Sequence, residues 1–271
     1  MYDFNHAIVK VIDANKKVCW IDPSAKANII NGVLPNISDK FVLVLNGSES
    51  TYEKIPLISE ENAQILLDQI IDSDVTYANI SFKGEAASYL TASGIYSSKE
   101  KIINDFCARY IPANNIKANN ILQISMPKLN SKLIETINIS LSYKNNDLLL
   151  KSNLGKIYFL NNNFSIFKEV LNTDIKTSAN DLSLKFPQTI TRRTVFKNTK
   201  IPNIDNLDFV FDGPFISMSR KSSINSQDSI IVEKAVIHKS WIRNDEIKTI
   251  EFQNLKDIIQ SNIYNTVAII Q

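Results

Sequence analysis

Two cysteines, two histidines and six glycines in 271 residues exclude several kinds of protein at once. Cys19 and Cys107 are too few for a disulfide scaffold or an all-cysteine metal site. Six glycines argue against a glycine-rich loop that cradles phosphate. No apolar run approaches the ~18 residues of a membrane-spanning helix, so no membrane span is expected. The N-terminus also lacks a charged segment followed by an apolar stretch and a small-residue cleavage site. As written, the chain carries no export signal, and its compartment stays open. A surplus of one charge is missing too: 30 basic residues are interspersed with 28 acidic ones, for a net charge of +2. No basic stripe marks a nucleic-acid or anionic-membrane partner. There is no internal repeat and no low-complexity tract. What is present is a globular composition, 44% hydrophobic and 21% charged, able to bury a core in one large domain or two modest ones.

The densest patterning comes first, in "FNHAIVKVIDANKKVCWIDPS", Phe4 to Ser24. "HAIVKVI" and "KVCWID" both alternate and are rich in β-branched and aromatic residues, and "DANK" between them is turn chemistry, so the stretch predicts a β-hairpin. With the turn near Ala14 and Asn15, residues whose numbers sum to 28 stand opposite one another. His6 then faces Asp22, with Ile8 and Trp20 on the same side and Ala7, Val9, Cys19 and Ile21 on the other. Cross-strand neighbours have Cβ atoms ~5 Å apart, close enough for the carboxylate to orient the imidazole and stabilise its protonated form. Cys19, on the opposite face, cannot be the thiol that His6 serves, because base and nucleophile must lie within hydrogen-bond reach. A one-residue slip exchanges the faces and separates His6 from Asp22. Without context, such a pair is an ordinary contact between two polar side chains at the protein's surface.

Context comes from the longer stretch "FNHAIVKVIDANKKVCWIDPSAKANIINGVLPNISDKFVLVL". It closely resembles the end of the catalytic core in bacterial transglutaminase-like proteins of the cysteine-protease superfamily. In these the His begins one strand, the Asp precedes Pro on the next, and an "LP" segment and an apolar strand close the core. The resemblance implies that His6 is the general base of a Cys-His-Asp triad, that Asp22 is its orienting partner, and that Pro23 fixes the chain as it leaves the strand. "FKGEAASYL", "RRTVFKNTKIPNIDNLDFVF" and "SRKSSINSQDSIIVEKAVIHKSWIRNDEIKTIEFQNLKDII" resemble the β-rich domain of unknown function that follows this core in one branch of the family. The expected division is therefore 1–50 as a C-terminal remnant of the core and 51–271 as the β-rich domain.

In that family the nucleophile is a Cys upstream of the His, at the start of a helix whose positive end helps lower the thiol pKa. Here five residues precede His6, and Cys107, in "KEKIINDFCARYI", reads as a half-buried core cysteine. The resemblance thus implies the C-terminal part of a cysteine hydrolase or acyltransferase, truncated or split, that keeps His6 and Asp22 but lacks the thiol and is silent alone. Its expected partners are a Cys-bearing segment or chain upstream and a protein or peptide substrate, with no cofactor and no metal. The alternative is a non-enzymatic β domain that binds protein or glycan.

The rest of the chain predicts a mainly β, α+β fold: an antiparallel, sandwich-like domain with one or two helices laid against it. "NAQILLDQIIDSDVTYANISFKG" reads as two strands joined at Asp72 to Asp74, and "SSKEKIINDFCARYI" as an amphipathic helix. Short strands follow through "NILQISMP", "KLIETINISLSY", "DLLLKSN" and "GKIYFL", then through "LSLKFPQTITRRTVFKN", "LDFVFDGPFISMSRKSS" and "SIIVEKAVIHKSWI", with a turn at Asp212 to Pro214. A last helix within Phe252 to Ser261, with Leu255, Ile258 and Ile259 inward, precedes a terminal apolar strand. His238 reads as a solvent-facing strand histidine with no ligand-spaced neighbour. Arg192 and Arg193 are expected to pair with acids or to guard a sheet edge. Trp241, Phe209, Phe211 and Phe215 are expected in the core.

Overall fold

A computed structural model describes residues 6–25, 33–92, 121–126, 135–145, 149–153, 155–159, 165–176, 179–261 and 267–270. The expected helix around Cys107 lies outside them. The chain is mainly β with helices, as its strand-rich pattern implies. Two small hairpins come first, β1 (Val9–Ile12) with β2 (Val18–Ile21), and β3 (Phe41–Asn46) with β4 (Glu49–Lys54).

The main body is an eight-stranded sheet. One half holds β5 (Gln64–Asp72), β6 (Val75–Lys83), β7 (Ile121–Ser125) and β8 (Thr136–Lys144). A three-stranded sheet of β9 (Leu149–Ser152), β10 (Gly155–Phe159) and, later, β17 (Val267–Ile270) stands apart from it. The other half holds β12 (Gln188–Phe196), β13 (Phe209–Phe211), β14 (Ile216–Asn225) and β15 (Asp228–Ile237). Leu182–Ser183 (β11) and Trp241–Ile242 (β16) form a two-stranded ladder. The order across the large sheet is β13-β14-β15-β12-β5-β6-β8-β7. Every pair in it is antiparallel except β12 with β5, which join the two halves in parallel.

Strand alternation makes this sheet one-sided. On β6, Thr76, Ala78, Ile80 and Phe82 are buried while Tyr77 and Asn79 are exposed, and β5 and β8 repeat the pattern. Polar-out, apolar-in alternation of this kind is how an antiparallel sheet keeps one wet face. The buried face is covered by Tyr158 of β10 and by the inner stripes of three helices. These are Ala86, Ala87 and Leu90 on α1 (Glu85–Ala92), Phe167 and Val170 on α2 (Ser165–Asn172), and Phe252, Leu255 and Ile259 on the last helix. A single turn, α3 (Asn244–Ile247), leads into that last helix, α4 (Ile250–Gln260), which falls where the sequence places it, with Ile258 partly buried. Neither α1 nor α2 is anticipated by the sequence reading. A spacing of i, i+3, i+4 puts each set of apolar residues on one helix face.

One rung crosses seven strands: Phe209, Arg220, Glu233, Arg192, Leu67, Ile80 and Ile139 stand opposite one another in turn. Arg192 is 1% exposed, Arg220 0% and Glu233 3%. Arg192 therefore lies in mid-sheet, not at an edge, while Arg193 points to the wet face and pairs with Asp68 at 2.8 Å. Trp241 is 56% exposed and outside the core, against expectation, because its short strand turns that side chain outward and Ile242 inward. Phe215 is buried, and Phe209 and Phe211 are partly so.

A second, smaller core joins the N-terminal hairpins to the body. Trp20, Val33, Leu34, Ile37, Ile55, Ile58, Ala63 and Phe186 are buried together. Lys10 reaches from β1 to both oxygens of Glu53 on β4 at 2.6 Å, and its ammonium lies 5.6 Å from the centre of the Trp20 ring. This cluster runs past residue 50, which itself sits inside β4, to Ala63 and Phe186.

Candidate functional site

Asp13 sets the register of the first hairpin. Its N–H donates to the Lys17 carbonyl, its own carbonyl accepts from the Lys16 N–H (both 3.0 Å), and its carboxylate accepts the N–H groups of Asn15 and Lys17 at 2.8 Å. Lys16 takes φ +64. This is a three-residue loop ending in a left-handed residue, centred on Asn15, one residue later than a sum of 28 requires. Opposed residues consequently sum to 30 and not to 28: Val9 faces Ile21, Lys10 faces Trp20 and Val11 faces Cys19. Continued past the last pair, that register sets Ile8 opposite Asp22 and His6 two residues further on.

A slip of two preserves the faces, because side chains alternate with period two. His6 meets Asp22 along the diagonal, with Nε2 2.8 Å from Oδ2. The carboxylate is held at its other oxygen as well, for Oδ1 accepts the Ser24 N–H at 2.9 Å and the Ser24 hydroxyl at 2.6 Å. Pro23 between them fixes φ, so Asp-Pro-Ser closes as a turn on its own side chain. Asp22 is 2% exposed. Burial pushes its carboxyl up, but the Ser24 hydroxyl, the His6 ring and the Ser24 N–H together hold it below the usual aspartate value. The result is a buried, ionised carboxylate beneath a ring whose side chain is 43% exposed. With Nε2 committed to Asp22, the neutral ring carries its lone pair on Nδ1, which has no partner among the described residues.

Cys19 pairs with Val11 on the opposite face of the hairpin and is half-buried. Cys107 lies outside the described residues. Among those residues, no group of three or more His, Cys, Asp and Glu is placed to hold a metal ion. No helix among them is long and apolar enough to cross a membrane.

The second histidine is not the isolated strand residue that its sequence context suggests. His238 follows β15, its N–H bonded to the Phe215 carbonyl at 3.0 Å, and its side chain is 31% exposed. Nε2 lies 2.8 Å from the Ser217 hydroxyl, and Nδ1 lies 3.2 Å from Oε1 of Glu60. Ser217 Oγ is also 2.6 Å from Oδ1 of Asp212. These residues stand at sequence separations of 21 and 178 from His238, so no local motif joins them. The sequence signal that exists is the hairpin β14–β15, which brings positions 217 and 238 onto one side once its register is known.

The chain matches no family model, no curated protein and no solved structure.

Proposed function

We propose that this chain is the C-terminal part of a transglutaminase-like cysteine hydrolase or acyltransferase, with His6 as general base and Asp22 as its orienting carboxylate. The observation that carries the reading is the 2.8 Å contact from His6 Nε2 to a buried carboxylate whose other oxygen is already occupied by Ser24. A carboxylate fixed from two sides sets both the plane and the tautomer of the ring, which is what a triad asks of its third member. Nδ1 then faces outward as the proton acceptor.

The step is a thiol acylation. The thiol proton passes to Nδ1, the sulfur attacks an amide carbonyl, the C–S bond forms, and the C–N bond breaks as the leaving amine takes the proton from the ring. Water or a second amine then attacks the thioester and releases the thiol. Cys19 is on the wrong side of the hairpin to supply that sulfur. A Cys-bearing upstream segment or separate chain supplies it, and the substrate is a protein or peptide.

Two measurements test this. Long-range proton–nitrogen NMR is expected to show neutral His6 protonated on Nε2, with that bias lost in Asp22→Asn. A proton found on Nδ1 refutes the general-base role. Treated alone with a peptidyl vinyl sulfone, the chain is expected to show no thiol labelling that depends on His6. Labelling of Cys19 or Cys107 that disappears in His6→Ala overturns the external source of the sulfur.

A further inference from the structure

The cluster around His238 is a second site, independent of His6, and we propose that it makes Ser217 a latent nucleophile toward carboxylic esters. Three parts of the fold converge to build it. Ser217 stands near the start of β14 on the wet face of the sheet, opposite Val236. His238 comes two residues after Val236, held across from Phe215 by its backbone bond, so its ring and the serine share one side. Glu60 enters from the turn before β5, which is closed by the Asn62 N–H on the Ser59 carbonyl at 3.0 Å.

The geometry is that of an activated hydroxyl. Oγ to Nε2 is 2.8 Å and Nδ1 to the Glu60 carboxylate is 3.2 Å, so nucleophile, base and orienting acid stand in line. That sequence of contacts is recognised by distance and role, not by position in the chain. The side chains of His238 and Glu60 are 31% and 35% exposed, which leaves the ring and the hydroxyl open to a ligand from solvent.

Asp212 decides when the hydroxyl is available. Oγ has one hydrogen and three acceptors in reach, Asp212 Oδ1 at 2.6 Å, His238 Nε2 at 2.8 Å and, more distant, the Gly213 carbonyl at 3.5 Å. When the hydrogen goes to Asp212, the ring must donate from Nε2 to Oγ and from Nδ1 to Glu60, which requires the protonated imidazole. When the ring is neutral, Nε2 accepts from Oγ and the serine is poised to attack. Asp212 stands in a tight turn with Gly213, where an added Cβ would fall 2.7 Å from the Phe211 ring and 2.9 Å from the Ile216 carbonyl oxygen. Lys239, the residue after His238, is engaged by Glu246 at 2.6 Å and lies over the Phe215 ring.

In the reaction, Ser217 Oγ forms a bond to the ester carbonyl carbon as its proton moves to Nε2. The C–O bond to the leaving alcohol breaks, and the alcohol takes that proton. Water then repeats the sequence on the acyl-serine and releases the acid.

The test uses the full chain with a fluorophosphonate probe and with p-nitrophenyl acetate, mapping adducts by mass spectrometry. Phosphonylation is expected at Ser217, with P–O formed, P–F broken and fluoride released. Ser217→Ala is expected to lose the adduct, and His238→Gln to slow labelling about 100-fold or more. Asp212→Ala is expected to speed it, because the competing acceptor is gone. Thermal melts confirm that each variant is folded. Absence of a Ser217 adduct in the folded chain overturns the proposal. So does labelling that His238→Gln leaves unchanged, since a serine in a merely structural bond would not depend on the ring. Neither result bears on His6, whose test reads a different histidine and a thiol.

Discussion

Replacing Glu233 with glutamine removes the only negative member of a buried trio while keeping its shape. Arg192 donates to Oε2 through Nε at 2.7 Å and Nη2 at 2.5 Å, and Arg220 donates to Oε1 through Nε at 3.3 Å and Nη2 at 3.2 Å. With charge centres about 4 Å apart, each attraction is worth about 4 kcal/mol at an effective dielectric of ~20. The desolvation of both guanidiniums is incurred with or without the carboxylate. Removing one partner of a buried pair costs about 3–5 kcal/mol. The glutamine would keep one acceptor for two arginines, and the expected loss is about 4 kcal/mol, a large share of the ~5–15 kcal/mol that a folded domain holds. The control is the neighbour of Arg192 on the same strand. Arg193 pairs with Asp68 on the wet face, both side chains about half exposed, and Arg193→Gln should cost under about 1 kcal/mol. Urea unfolding at neutral pH, with unchanged slopes, measures both. A third arm replaces Arg192, Glu233 and Arg220 together by Met, Leu and Met, which should recover most of the loss because no buried charge is left unpaired. A Glu233→Gln loss below about 1 kcal/mol, or one matched by Arg193→Gln, refutes the reasoning.

Glu85 and Asp22 should respond to pH with opposite signs. Burial raises the Glu85 carboxyl above its ordinary value, and its Oε2 has no hydrogen-bond partner among the described residues. The folded chain therefore holds this proton above the unfolded value of ~4.3, and stability falls as pH rises through that window. Glu85→Gln should be stabilising at neutral pH, with the gain shrinking toward pH ~4 in thermal melts. Asp22 is lowered, so its contribution is present above the unfolded value of ~3.9 and is lost as pH falls toward the folded one. Asp22→Asn should cost stability at about pH 7 and cost progressively less in acid. Gly84 and Gly47 both take left-handed φ, +57 and +62, but a Cβ at Gly84 would lie 2.1 Å from the Asn62 carbonyl oxygen and one at Gly47 meets nothing within 4 Å. Alanine at Gly47 should cost about 1–2 kcal/mol for the conformation alone. At Gly84 the collision adds to that, so its melting point should fall at least about twice as far.

Parity explains what is legible in the sequence of the first hairpin and what is not. Alternation states which residues share a face, and it is unaffected when the register moves by two. His6, Ile8, Trp20 and Asp22 can therefore be placed on one side, and Cys19 on the other, even with the turn placed one residue early. The rung itself depends on Asp13, whose carboxylate gathers the N–H groups of Asn15 and Lys17 and so centres the loop on Asn15. Pro23 just past β2 and Ser24 beyond it also leave a trace, because Asp-Pro-Ser favours a turn. That the same Ser holds the Asp22 carboxylate at its second oxygen is visible only in three dimensions.

The opposite holds for the charged rung and for His238. Arg192 and Arg193 are adjacent and identical in sequence, yet one is 1% exposed and the other faces solvent, since a strand sends neighbours to opposite sides. Which side is buried depends on β5 joining β12 in parallel, a pairing between segments 125 residues apart. Glu60 reaches His238 for the same reason: it stands just ahead of β5, and β15 lies on the far side of β12 from β5. The single parallel seam thus both buries the arginine–glutamate rung and delivers the carboxylate to the second histidine. A change that unzips that seam, such as Val195→Pro, whose N–H lies on the β5 side with those of Thr189 and Lys197, should cost stability and Ser217 reactivity together. Arg193→Gln, on the same strand but paired with Asp68 at the surface, should leave both in place.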